Sequence, residues 1–197
     1  HLGASDNDDV GVCLCSVHGA IEMGGGLLHG GISLPIDGGA SSVEARRRLD
    51  LPGDALVLEN YLYQAESDLS HSVGKAEGDG WAANVDEHEA GHMIFGPYAT
   101  NWLGNQGTAS FKIMIDNNSA DDLDVVILDV FDATSQKALA TRKVTRKEFQ
   151  NTNTWQSFDL NFELLGSVGH KMEVRAWWTD NSYMKIDSVL VSIQPSN

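Results

Sequence analysis

From Leu56 onward the apolar residues recur at every second position. Phe111, Ile113 and Ile115 form one such run, and Phe158, Leu160 and Phe162 another. Met172, Val174, Ala176 and Trp178 form a third, and Asp187, Val189, Val191 and Ile193 share one phase of a fourth. Successive side chains of a strand point to opposite faces, so a period of two predicts strands with one face buried. Val126, Leu128 and Val130 then face one way, and Ile127, Asp129 and Phe131 the other. Clusters rich in Asp, Asn, Ser and Thr at 116–119, 132–135, 151–153 and 179–182 separate the runs and supply turn chemistry. Many short strands with polar turns and almost no helical periodicity predict an all-β fold, an antiparallel β-sandwich of the jelly-roll kind.

The first part of the chain has a different character. All the aromatic residues and all the lysines lie from Tyr61 onward, whereas residues 1–55 hold more than half of the 20 glycines. The stretch from Gly24 to Gly31 is apolar and Gly-rich. A segment without aromatic residues has little from which to build its own core. Residues 1–55 therefore read as a Gly-rich extension that packs on the sandwich or on a neighbouring chain, and 56–197 as the sandwich domain. Within the extension, Ser41 with Glu44 three residues on predicts a short helix to Leu49. His1 stands where an initiator Met would be and no signal-peptide pattern follows, so the chain reads as starting at a processed end or as part of a longer protein.

Charge narrows the partners. The 28 acidic and 13 basic side chains give a net charge of −15. Phosphate backbones and anionic lipids are repelled by that charge, so nucleic acid is not expected as a partner, and no apolar run is long enough for membrane insertion. A cation or a neutral ligand fits better. The two cysteines, Cys13 and Cys15, make no disulfide framework. With His18 they amount to a partial metal site lacking a fourth ligand.

Two kinds of chemistry can be read from local spacing. His88-Glu89-Ala90-Gly91-His92 is a literal H-E-x-x-H, which on a helix would bind zinc and activate water as in a metallopeptidase. A helix there would contain Gly91 and stop at Gly96-Pro97, and nothing specifies a third ligand. Neutral sugars, by contrast, are bound by an aromatic platform with amides and carboxylates around it. Trp81 sits in a Gly-rich loop close to Asn84, Trp102 sits in a loop at 100–104, and Trp178 precedes Asp180 and Asn181. Trp155 and Trp177 lie inside strand patterns and read as packing residues.

The order of short motifs carries a resemblance. Tyr63-Gln64-Ala65-Glu66, Gly78-Asp79-Gly80-Trp81, the Gly91-to-Tyr98 stretch with Gly96-Pro97-Tyr98, Trp177-Trp178, and the closing strand around Asp187 follow one another. Over roughly two thirds of the chain this order resembles carbohydrate-binding modules of the galactose-binding-like jelly-roll type, those of families six and thirty-five; residues 1–55 have no counterpart there. The resemblance implies a non-catalytic module that binds carbohydrate or polysaccharide at the cell surface or outside the cell. It also implies a ligand-binding role for Asn181, in the turn before the last strand. Gln64 and Glu66, two apart on one strand, would present an amide oxygen and a carboxylate side by side. The resemblance adds Asp187 to them as ligands of a structural Ca²⁺, which takes several hard oxygens. A rival reading is an assembly or adhesion subunit, a homo-oligomer whose residues 1–55 add strands to a neighbour's sheet edge.

Overall fold

The computed structural model describes residues 58–195. The expectations for residues 1–55, including the short helix, Cys13, Cys15 and the oligomer contacts, lie outside the described residues. Eleven strands follow in order: β1 (Glu59–Gln64), β2 (Lys75–Glu77), β3 (Gly80–Ala83), β4 (Gly91–Ile94), β5 (Pro97–Ala99), β6 (Gln106–Ile115), β7 (Asp124–Asp132), β8 (Lys137–Thr145), β9 (Gln156–Glu163), β10 (Met172–Trp178) and β11 (Met184–Gln194). Among the described residues the helical element is one 3₁₀ turn, Arg146–Glu148. No helix there is long and apolar enough to cross a membrane.

The strands form two sheets. One runs β2-β3-β11-β6-β9, with β1 also paired to β11; the other runs β4-β10-β7-β8, with β5 also paired to β10. Neighbouring strands are antiparallel throughout. This is the all-β, two-sheet sandwich that the alternation predicts. The two inner faces meet over one core. It contains Phe111, Ile113 and Ile115 from β6, Val126, Leu128 and Val130 from β7, Phe158 and Phe162 from β9, and Met172, Val174, Ala176 and Trp178 from β10. Burial of that apolar surface is the main term holding the sheets together.

One expected phase is wrong. On β11 the inward residues are Met184 and Ile186, and then Val189, Val191 and Ile193. A change of parity in the middle of a strand needs an extra residue, and the register against β6 shifts between Ile186 and Ser188. Asp187 is that residue. It does not share the inward face with Val189; its carboxylate accepts a charged bond from Lys112 at 3.1 Å and a hydroxyl bond from Ser188 at 2.7 Å.

The polar turns do the work expected of them. Asn117 Oδ1 accepts the backbone N–H groups of Ser119 and Ala120, closing the β6–β7 connection. Asp132 closes the β7–β8 hairpin from its Oδ1 through the N–H groups of Thr134 and Ser135, and with Oδ2 it holds Ser167 at 3.0 Å and His170 at 2.7 Å. This one buried carboxylate therefore ties the β9–β10 loop to the hairpin. Burial alone would raise its pKa, but the bonds from His170, Ser135 and Ser167 outweigh burial and hold it well below the ordinary carboxylate range.

Candidate functional site

The loop residues expected to bind sugar do not come together as a binding surface. Trp102 is 1% exposed: its ring lies 5.9 Å from that of Phe162, and its indole N–H donates to the Tyr63 hydroxyl at 3.1 Å. Trp178 is fully buried, and its N–H donates to the Ser182 carbonyl. Neither ring face is open to a ligand: Trp178 is the last residue of β10 and points into the core, and the 100–104 loop turns Trp102 into the same core. Trp81 lies half-buried on β3; His71 stacks on one face of it at 3.5 Å, and its N–H donates to the Val73 carbonyl. Asn84 organises its own turn, its carbonyl accepting from the N–H groups of Glu87 and His88. Asn181 donates from its side-chain amide to the Asp124 carbonyl at 2.9 Å and to Thr179 at 3.1 Å, while its own carbonyl accepts from Arg146. These amides are spent on loop closure.

The H-E-x-x-H residues are not helical. Residues 84–88 form a turn and β4 begins at Gly91, so the two histidines do not share a helix face. His88 Nδ1 accepts from the Asn84 N–H, whereas His92 stands on the outer face of β4. Among the described residues no three of His, Cys, Asp and Glu come together as metal ligands. The geometry that a zinc peptidase needs is absent from this stretch.

The expected calcium ligands fit in part. Glu66 lies two residues past the end of β1, and its Oε2 is buried without a hydrogen-bond partner. A buried carboxylate oxygen left open in this way is costly unless a cation or a donor meets it. Gln64 pairs in register with Ser188, and the Ala65 N–H donates to the Asp187 carbonyl, so this end of β1 runs beside the β11 bulge. The Asp187 carboxylate, however, is already neutralised by Lys112.

The arrangement best suited to a ligand lies on the outer face of the five-stranded sheet. There the phase opposite to the core places Glu173, Arg175 and Trp177 on β10, Asp129 and Phe131 on β7, and His92 on β4. Ser72, His92, Phe95, Tyr98, Phe131, Gln136, Glu173 and Arg175 are among the residues lining an open cleft of about 390 Å³. Two aromatic rings are well exposed on this side: Tyr98 at 46% and Trp177 at 40%. Trp177 meets His92 edge to face at 4.9 Å.

Charged groups stiffen the cleft. Arg175 and Asp129 face each other in register across β10 and β7. They form a bidentate pair, with Nε and Nη2 of Arg175 each 2.7 Å from a carboxylate oxygen. The guanidinium lies over the Phe131 ring at 3.6 Å, and Nη1 approaches Glu173 at 3.9 Å. Burial opposes the charge on Arg175, but Asp129 and Glu173 outweigh it and raise its pKa. Glu173 is buried beside Tyr98, and its carboxylate raises the tyrosine pKa. Desolvation, and then the nearby Arg175, push the His92 pKa down, so His92 favours its neutral form here. The site thus offers aromatic faces and neutral donors and acceptors, with its only arginine already paired.

Sequence reasoning missed this cleft, and Trp177 was placed with the packing residues. The signal was present. On β10, Glu173, Arg175 and Trp177 occupy the phase that Met172, Val174, Ala176 and Trp178 leave to solvent.

No known protein-family profile matches the chain, and no curated protein sequence does. Several solved structures are similar to it. The C-terminal family-six carbohydrate-binding module of LamC, a marine laminarinase from Zobellia galactanivorans, shares 11% identity over 68% of this chain and 99% of that one, with a TM-score of 0.43. A family-27 carbohydrate-binding module of Caldicellulosiruptor saccharolyticus, in complex with mannohexaose, shares 10% over 72% and 100%, with a TM-score of 0.44. A cyclase from Fischerella sp. TAU shares 13% over 79% and 81%, with a TM-score of 0.45. Both binding modules and an enzyme stand among these likenesses, so what this chain does has to be read from its own side chains.

Proposed function

We propose that the protein is a carbohydrate-binding module and that its site is the cleft on the outer face of the five-stranded sheet. The observation that carries this reading is the exposure of two aromatic rings, Tyr98 and Trp177, on one sheet face beside a cleft lined by hydroxyl, amide and charged groups. A pyranose has one face of C–H bonds and a rim of hydroxyls. Aromatic faces take the first, and Ser72, Gln136, His92 and the Arg175–Glu173 pair would bond the second. Tyr98, Trp177, His92, Phe131, Glu173 and Arg175 are held on strands, with Ser72 and Gln136 in adjoining turns, which limits the ordering cost of binding. The target is a polysaccharide, so the protein would act at a cell surface or outside the cell.

Isothermal titration of the full chain with cello-, manno- and xylo-hexasaccharides tests this. The expected result is saturable binding by the wild type that falls at least about tenfold in Trp177→Ala while the melting temperature holds. Equal affinity in that variant, or no binding by the wild type, would remove the cleft from consideration.

A structural Ca²⁺ belongs to the same proposal. Glu66 would hold it through the buried oxygen that has no other partner, with the Gln64 amide beside it, and the ion would neutralise that carboxylate. Asp187 contributes only if it exchanges Lys112 for the ion. The expected outcome is a rise in melting temperature on adding calcium that is absent in Glu66→Gln. A chelator-insensitive melt of the wild type would exclude the ion.

A further inference from the structure

Tyr98 occupies a backbone position that its side chain does not suit. Pro97 pairs with Glu173 and Ala99 with Met172, so Tyr98 is the extra residue of a bulge between β5 and β10. Its φ is +64°. A left-handed residue in a bulge is ordinarily glycine, and for a bulky side chain it is an outlier. The other non-glycine residues with positive φ among those described are Gln136, Asn153 and Asp180, polar side chains in turns. Asn and Asp tolerate this conformation; tyrosine does not share their reason. Backbone strain of this kind persists where something else requires the residue.

What the side chain does is visible. It stands beside Glu173, a carboxylate 4% exposed on the neighbouring strand. The ring itself is nearly half exposed and lines the cleft. The bulge swings the residue out of the strand's alternation and places its ring along the cleft.

We propose that Tyr98 is the stacking platform of the cleft, kept in a strained left-handed bulge so that its ring meets an uncharged pyranose face. This rests on the reading of the cleft as a carbohydrate site and names the class of sugar it takes. Recognition by a ring face requires an uninterrupted face of C–H bonds on the sugar. Charge excludes acidic sugars, because Arg175 is already paired with Asp129, and Glu173 adds a negative charge beside it.

Three variants of the full chain test this: Tyr98→Gly, Tyr98→Ala and Tyr98→Phe. Glycine relieves the backbone while removing the ring, so Tyr98→Gly should melt about 3 °C above Tyr98→Ala. Both should bind the cello-, manno- or xylo-hexasaccharide that the wild type prefers at least about tenfold more weakly. Tyr98→Phe keeps the ring and should retain most of the affinity. If Tyr98→Gly binds as well as the wild type, the platform is overturned and the cleft reading stands. If the wild type binds no uncharged oligosaccharide, both fall. If glycine melts no higher than alanine, the strain argument is wrong whatever the binding shows.

Discussion

Trp102 and Trp177 are chemically alike, and their surroundings separate them completely. Trp102 is enclosed in the core with its N–H on Tyr63, whereas Trp177 lies on an open sheet face against His92. Trp102→Ala is expected to destabilise the protein by about 3–5 kcal/mol, since a buried aromatic leaves a cavity and here also strands the Tyr63 hydroxyl. Trp177→Ala is expected to change stability far less and to act on binding. Chemical denaturation of the two variants, followed by oligosaccharide titration of whichever stays folded, separates the roles. Asp132 is a second residue whose context decides its worth. It is buried and receives four hydrogen bonds from two segments, the β7–β8 turn and the β9–β10 loop. Asp132→Ala should cost about 1–3 kcal/mol, because the buried Ser167 would be left without its acceptor and the turn would lose two bonds. A denaturation midpoint within error of wild type would show that the β9–β10 loop does not depend on it.

A strand has two phases, and β10 uses both fully. One phase carries Met172, Val174, Ala176 and Trp178 into the core, and the other carries Glu173, Arg175 and Trp177 to the outer face. The pairing with β7 sets Arg175 against Asp129 and brings its guanidinium over Phe131. Asp129→Asn keeps the shape but replaces a charge-assisted bidentate pair with weaker bonds. We expect about 1–2 kcal/mol of lost stability, together with weaker oligosaccharide binding as Arg175 loses its fixed position. Calorimetric melting and titration of the same sample read both. Gly80 on β3 makes a separate point about strand packing. A Cβ there would stand 2.5 Å from the Ile186 carbonyl oxygen on β11, so Gly80→Ala must push β3 away from β11, and its melting temperature should fall.

The protein as a whole should be sensitive to acid in two steps. His92 is held below its ordinary pKa, so the unfolded chain takes up its proton first as pH falls. Its contribution is complete above about pH 6.5 and is lost on going below that value toward the folded pKa. Asp132 is likewise held below the ordinary carboxylate pKa, so its contribution is complete above about pH 4 and is lost as the pH falls further. Melting temperatures measured from pH 8 to pH 3 should therefore decline below neutrality, and His92→Gln should flatten the first part of that decline. A profile for His92→Gln that parallels the wild type would mean His92 makes no such contribution. The net charge of −15 acts over the whole surface. It predicts that polyuronates and sulfated glycans bind poorly at low salt and that affinity for uncharged chains varies little with ionic strength.

Alternation of apolar positions was enough to specify β6, β7, β9, β10 and most of β11, with about half of the core; it did not reach β2 to β5 or β8, which bring Met93, Ile94 and Val144 to that core. Side-chain direction in a strand follows from a period of two, and burial is the dominant energy term. The Asp116–Ser119 and Asp132–Ser135 turns were legible for the same local reason, since their side chains bond backbone two or three residues on. Local pattern could not reveal the bulge at Asp187, because an extra residue in one strand is defined only against its partner β6. Nor could it tell which tryptophans seal the core: Trp102 and Trp178 are buried by segments distant in the chain, and Trp81 by His71. The cleft is the clearest case. Tyr98, Glu173, Arg175, Asp129, Phe131 and His92 come from four strands, and only the order β4-β10-β7 with β5 along β10 places them on one face. Composition and periodicity determined that there would be a sandwich with two outer faces. Strand order and register, which depend on long-range pairing and close packing, decided which side chains share an outer face.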